Sequence, residues 1–121
     1  MQRFTVSDFR LARLFQNFVD GFRNYLNSNA TAKTNNGGDD EIAAVSAMGF
    51  DVYYTALEAL KAAGSTKGAD VIKALPGVTY EGVSGAIAFD QNGDAVRDVA
   101  YVKKVNNETG KWDFVAQQSV K

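Results

Sequence analysis

The chain has 121 residues, 45% of them hydrophobic and 22% charged, which is enough for one modest core in one compact domain. Its 13 basic and 14 acidic residues leave a net charge of −1, so it carries no electrostatic footprint for nucleic acid or an anionic membrane. Cysteine and histidine are both absent, which excludes disulfides, thiol nucleophiles and Ser-His or Cys-His catalysis within the chain and removes the commonest transition-metal ligand.

From about residue 8 to residue 26, Leu11, Leu14, Phe15, Phe18, Val19, Phe22, Tyr25 and Leu26 recur at three- and four-residue spacing. This predicts a helix with one broad apolar stripe, capped by Thr5 or Ser7 with Asp8 at the positive end of its dipole. Core packing is the ordinary reading of so aromatic a stripe. Residues 27–40 are polar, rich in Asn and Gly and without periodicity, and predict a mobile loop.

A second helix is predicted from Asp40 or Glu41 to Ala63, capped by Asp39 or Asp40 and ended by Gly64 in the left-handed conformation. Its predicted core face is Val45, Met48, Gly49, Val52, Tyr53, Ala56, Leu57 and Leu60. Gly49 costs about 1 kcal/mol relative to alanine at mid-helix, so a close backbone neighbour is expected there. A short third helix should cover Lys67 to Leu75, burying Val71, Ile72 and Leu75, with Ser65 or Thr66 as cap and Pro76-Gly77 as stop.

After Gly77 the apolar period changes from helical to strand-like. Val83 to Phe89 reads as one extended segment, with Gly82 and Gly85 allowing a bend or a close contact. Asn92-Gly93 is a two-residue hairpin signal. Asp98 to Val105 and Trp112 to Ala116 alternate as strands around the turn Asn106–Gly110. The expected architecture is therefore mixed α and β: two long helices and a short one over about residues 8–77, then about three strands in hairpins over 78–121.

No constellation for catalysis is present. Asp90, Asn92 and Asp94 open with calcium-loop spacing, but the glycine comes too early and Tyr101 stands where the bidentate glutamate belongs. Gly82-Val83-Ser84-Gly85 is too short for a phosphate loop and no helix follows it. Asp39-Asp40 reads as a helix cap and Lys103-Lys104 points to opposite faces of a strand. No enzymatic activity, metal or cofactor is expected. No apolar run approaches the roughly 20 residues of a membrane helix. Met1 to Asp8 lacks the apolar middle of a signal peptide, so a secreted origin requires a leader outside this sequence.

In order, the chain carries Gly49-Phe50-Asp51-Val52, Ala63-Gly64-Ser65, Val71-Ile72-Lys73-Ala74-Leu75, Gly82-Val83-Ser84-Gly85, Phe89-Asp90 and Asn92-Gly93-Asp94. This ordered set resembles the closing segment of Leu/Ile/Val-type solute-binding proteins of ABC transporters, over roughly Phe15 to Ala116. The resemblance implies one partial domain of a two-lobed periplasmic-binding-protein fold, its N-terminal lobe lying outside these residues. It implies a periplasmic or extracellular parent, free or lipid-anchored, that binds an amino acid or similar small solute without chemistry and delivers it to a permease. Phe50 matches a family position that touches the ligand side chain; the family often has Tyr there, and Phe tilts the pocket toward apolar solutes. Alone, such a chain is expected to bare Phe15, Phe18 and Phe22 and to self-associate as a homodimer or larger homo-oligomer. The alternative function is a structural or interaction module whose aromatic helix face forms the homo-oligomer.

Overall fold

The computed structural model describes residues 6–97 and 99–119. In chain order it contains helices α1 (Val6–Ser28), α2 (Ala30–Asn35), α3 (Ala44–Ala63) and α4 (Gly68–Ala74), a 3-10 turn at Leu75–Gly77, and strands β1 (Thr79–Gly82), β2 (Gly85–Phe89), β3 (Ala95–Val96), β4 (Val99–Val105) and β5 (Trp112–Ser119). The protein is 50% helical and 24% strand, a mixed class in which the helices precede the sheets. β1, β2 and β3 form one antiparallel sheet in that order, and β4 pairs with β5 in a separate two-stranded ribbon.

The long helices lie where the 3.6-residue period placed them. Thr5 lies outside the described residues, as do the side chains of Ser7 and Asp8, so the predicted cap of α1 falls there. Residues 27–40 differ from the expected loop, because a six-residue helix occupies much of the segment. Asn29 is the reason: its backbone is extended and its Oδ1 accepts the amide of Ala32 at 2.9 Å, which starts a helical turn at once. Asn36 then ties the following turn by donating from Nδ2 to the carbonyls of Asp39 and Glu41. α3 consequently starts at Ala44, later than predicted, and its N-cap Ala43 supplies no side-chain bond. The end of α3 is as expected: Gly64 has φ 58° and returns its amide to the carbonyls of Leu60 and Lys61.

The rotation of α3 departs from the sequence reading. Its buried residues are Asp51, Thr55 and Ala59, one per turn along a single line, whereas Val45 is 70% and Val52 65% exposed and Met48 and Tyr53 also face solvent. The expected close neighbour of Gly49 is absent, since a Cβ built there meets nothing within 4 Å. On α4, Ile72 is exposed and Val71 only half-buried, as is Leu75 at the start of the 3-10 turn. On α1, Phe18 is 4% exposed and Phe22 half-buried, whereas Phe15 and Tyr25 of the same stripe are 50% and 57% exposed.

The segment read as one strand from Val83 to Phe89 is instead the second half of a tight hairpin. Thr79–Gly82 pairs with Gly85–Phe89 across the two residues Val83 and Ser84. Neither residue has positive φ, so this is not one of the primed turns that two-residue hairpins favour; Gly85 takes the left-handed rotation at φ 105° instead. The Asn92-Gly93 signal likewise opens into the wider loop Asp90–Asp94 between the paired residues Phe89 and Ala95. Asp90 causes the widening, its Oδ1 accepting the amides of Asn92 and Asp94 at 2.8 and 2.9 Å. Asp98, where the next strand was expected to start, lies outside the described residues.

The short α2 depends on one cap, which gives a direct check. Asn29→Ala should cost about 1 kcal/mol of local stability, read as faster hydrogen exchange at the Ala32 amide with exchange in α3 unchanged.

Candidate functional site

The best-organised polar group in the molecule is Asp51. It sits at mid-helix in α3 with 0% exposure. A carboxylate taken out of water is costly unless its oxygens are bonded. In this fold each oxygen has a partner on the β1–β2 turn: Oδ1 accepts the amide of Val83 at 2.9 Å and Oδ2 the amide of Ser84 at 2.7 Å. One turn along α3, Thr55 Oγ1 donates to the carbonyl of Asp51 at 2.8 Å, so the second polar residue of the buried line is satisfied as well.

This clasp demands glycine at position 82. A Cβ on Gly82 would stand 2.4 to 2.5 Å from the carboxylate carbon and oxygens of Asp51. That is well inside contact distance, and the obstacle is a buried side chain held by two hydrogen bonds. From the other side the turn is gripped by Arg97, whose Nη1 donates to the Ser84 carbonyl at 2.9 Å and Nη2 to Ser84 Oγ at 3.1 Å. Two turn amides of the kind that a glycine-rich loop offers to a phosphate donate instead to a carboxylate of the same chain.

An aromatic row runs beside the clasp. Phe22 meets Phe18 at 5.7 Å between ring centroids, Phe18 meets Phe50 at 5.0 Å, and Phe50 meets Tyr54 at 5.0 Å. Tyr54 in turn stacks on Tyr80 of β1 at 6.1 Å with the planes 10° apart. The row therefore joins α1, α3 and the sheet, each pair adding about 0.5–1.5 kcal/mol beyond its burial. Phe50, the ligand-contact residue implied by the family resemblance, is half-buried in the middle of this row. It is not among the residues that line the nearby open cavity of about 650 Å³, whose walls include Leu11, Phe15, Met48, Ser84, Arg97 and Tyr101.

Burial raises the Tyr80 hydroxyl above the ordinary tyrosine range, with the carboxylate of Asp51, then Tyr54 and Glu58, adding to the shift. At the surface, Lys111 of the β4–β5 turn pairs with Glu41 just before α3, and this contact raises the Lys111 ammonium. Elsewhere, Asp90 commits its Oδ1 to its own loop, and the described residues contain no group of three acidic side chains placed to hold a metal. No helix among them is long and apolar enough to cross a membrane.

The sequence presented Asp51 only as the third letter of Gly49-Phe50-Asp51. A usable signal was there: an acidic residue flanked by Phe50 and Val52 in the middle of an apolar helix asks for a partner. Its partner lies more than thirty residues away, and no periodicity connects the two. No protein-family model, curated protein or solved structure matches the chain, so the site speaks through its own geometry.

Removing either half of the clasp should be strongly destabilising. Gly82→Ala is expected to lower unfolding free energy by about 2–4 kcal/mol through the forced clash. Asp51→Asn should lower it by about 1.5–3 kcal/mol, because an amide group turns a donor toward a backbone N–H; urea denaturation measures both. Tyr80 has a linked pH signature. Its raised value stabilises the fold fully below the ordinary tyrosine pKa of about 10, and that stability is lost as pH climbs through the raised value. Thermal midpoints should fall at alkaline pH in the wild type and fall less in Tyr80→Phe.

Proposed function

We propose that the chain is the C-terminal part of an extracellular solute-binding protein of the Leu/Ile/Val type, which captures an amino acid or similar small solute for an ABC transporter. One observation carries this reading. Gly49-Phe50-Asp51 and Gly82-Val83-Ser84-Gly85, two motif segments that are separate in sequence, meet as a single unit through the bonds from Val83 and Ser84 to Asp51. Order and spacing made the motifs a family resemblance; their physical union gives that order and spacing a reason.

Under this reading the clasp has a mechanical task. It locks the helix bearing Phe50 to the sheet that follows, so an aromatic ring is presented in a fixed orientation. Phe18 and Tyr54 cover parts of the Phe50 ring and leave it half-buried. Its remaining surface offers an apolar wall and no hydroxyl, which suits an aliphatic side chain. The groups that grip the solute's ammonium and carboxylate belong to the N-terminal two-thirds of the parent, outside these residues. Binding is noncovalent and uses no cofactor, the working location is periplasmic or extracellular, and the permease is the downstream partner.

The reading is tested by supplying the missing lobe. The chain, co-refolded with the N-terminal portion of a leucine-binding protein that stops before its aromatic helix, should form a one-to-one complex. That complex should retain labelled leucine, while either part alone does not. Absence of any complex under conditions where both parts are folded would sink the assignment.

A further inference from the structure

The chain contains two Asn-Gly pairs, Asn36-Gly37 and Asn92-Gly93. Asparagine before glycine favours attack by the backbone on a side chain, because glycine has no Cβ to block the approach. The main-chain nitrogen of the glycine attacks Cγ of the asparagine. A bond forms between that nitrogen and Cγ, the Cγ–Nδ2 bond breaks, and ammonia leaves with the proton that the glycine amide gives up. Water then opens the cyclic imide at either carbonyl and leaves aspartate or isoaspartate.

The fold holds the two glycines alike. Gly37 donates its amide to the Thr34 carbonyl and Gly93 to the Asp90 carbonyl, each at 3.1 Å. Both glycines are exposed, with φ of 90° and 87°. The asparagines differ. Asn36 is half-buried, and its Nδ2, the group that must leave, donates to the carbonyls of Asp39 and Glu41 at 3.2 and 2.9 Å. Turning that side chain onto Gly37 breaks both bonds. Asn92 is exposed in the β2–β3 loop, and its side chain bonds to no described residue. That loop is anchored through main-chain amides, those of Asn92 and Asp94 on Asp90 Oδ1, so the Asn92 side chain can turn without releasing the anchor.

We propose that Asn92 is a self-modification site: in the folded chain it deamidates through Gly93, while the same pair at Asn36 is protected by the α2–α3 turn. The product adds one negative charge to a chain of net charge −1 and sets it between Asp90 and Asp94. Isoaspartate also lengthens the main chain by one carbon inside the loop. The strand beyond, β3, has only two residues, paired to Ala88 and Phe89. Arg97 follows it directly and grips the Ser84 turn. Deamidation therefore frays β3 and loosens the outer hold on the Asp51 clasp. None of this depends on the solute-binding reading.

Peptide mapping by mass spectrometry tests the proposal on the full 121-residue chain aged at mildly alkaline pH, where the attacking nitrogen loses its proton more readily. Asn92 should convert about tenfold faster than Asn36 or more, since two hydrogen bonds must break before Asn36 can react. Each product is about one mass unit heavier. In urea the two pairs should convert at similar rates, because the protection of Asn36 belongs to the fold. Asn92→Gln should abolish the fast conversion, as its larger ring closes slowly. Hydrogen exchange on the deamidated chain should be faster in β2 and β3 and unchanged in α1. Equal rates in the folded chain, or a faster Asn36, overturn the proposal. So does an Asn92 that converts only after denaturation. Unaltered exchange in β2 and β3 of the deamidated chain overturns the link to the clasp.

Discussion

The arrangement turns on one carboxylate shared between two backbone amides. Once Asp51 is committed to Val83 and Ser84, the rotation of α3 about its axis is fixed, because the residue facing the hairpin must be the acidic one. Asp51, Thr55 and Ala59 then form the buried line, and Val45, Val52, Tyr53 and Leu60 are carried out to solvent. A helix packing by hydrophobicity alone would have chosen the opposite face. With the carboxylate buried, both of its oxygens must be bonded, and the amides of Val83 and Ser84 meet that demand.

The same constraint accounts for the hairpin. Val83 and Ser84 lack the positive φ that lets a two-residue turn follow the twist of its strands. The turn is held from outside by Asp51 on one side and Arg97 on the other. The Asp51 carboxylate lies against Gly82, and the want of a side chain there is what admits it. Function, on the proposed reading, is the consequence: a clasp that makes α3 and the sheet one body also fixes where Phe50 stands.

Cohesion elsewhere is modest. Among the described residues the buried apolar side chains are Phe18, Leu26, Ala59, Val78 and Ile87, and the aromatic row from Phe22 to Tyr80 does much of the joining between elements. The β4–β5 ribbon is exposed along nearly its whole length. A two-stranded ribbon is marginal by itself; the Lys111–Glu41 pair at its turn is one visible tether to the helices. A core this thin leaves the molecule's stability unusually dependent on the clasp and on whatever covers its open faces.

Local structure was legible in the amino-acid order wherever one residue or one period decides it. Apolar spacing set α1 and α3, Gly64 set the end of α3, and alternation set β4 and β5, because each of these signals acts over a few neighbouring residues. The order of residues also supplied the motifs that carry the family resemblance. Asn29 and Asp90 act just as locally but left no such mark, since a single side chain bonding to a nearby amide has no periodic trace. Which face of α3 is buried, why Gly82 must be glycine, and why Gly49 has no neighbour within the chain were settled by the three-dimensional packing alone. Those outcomes depend on a contact between residues 51 and 83–84, and a contact across that separation is chosen by competition among whole packings, which no local pattern records.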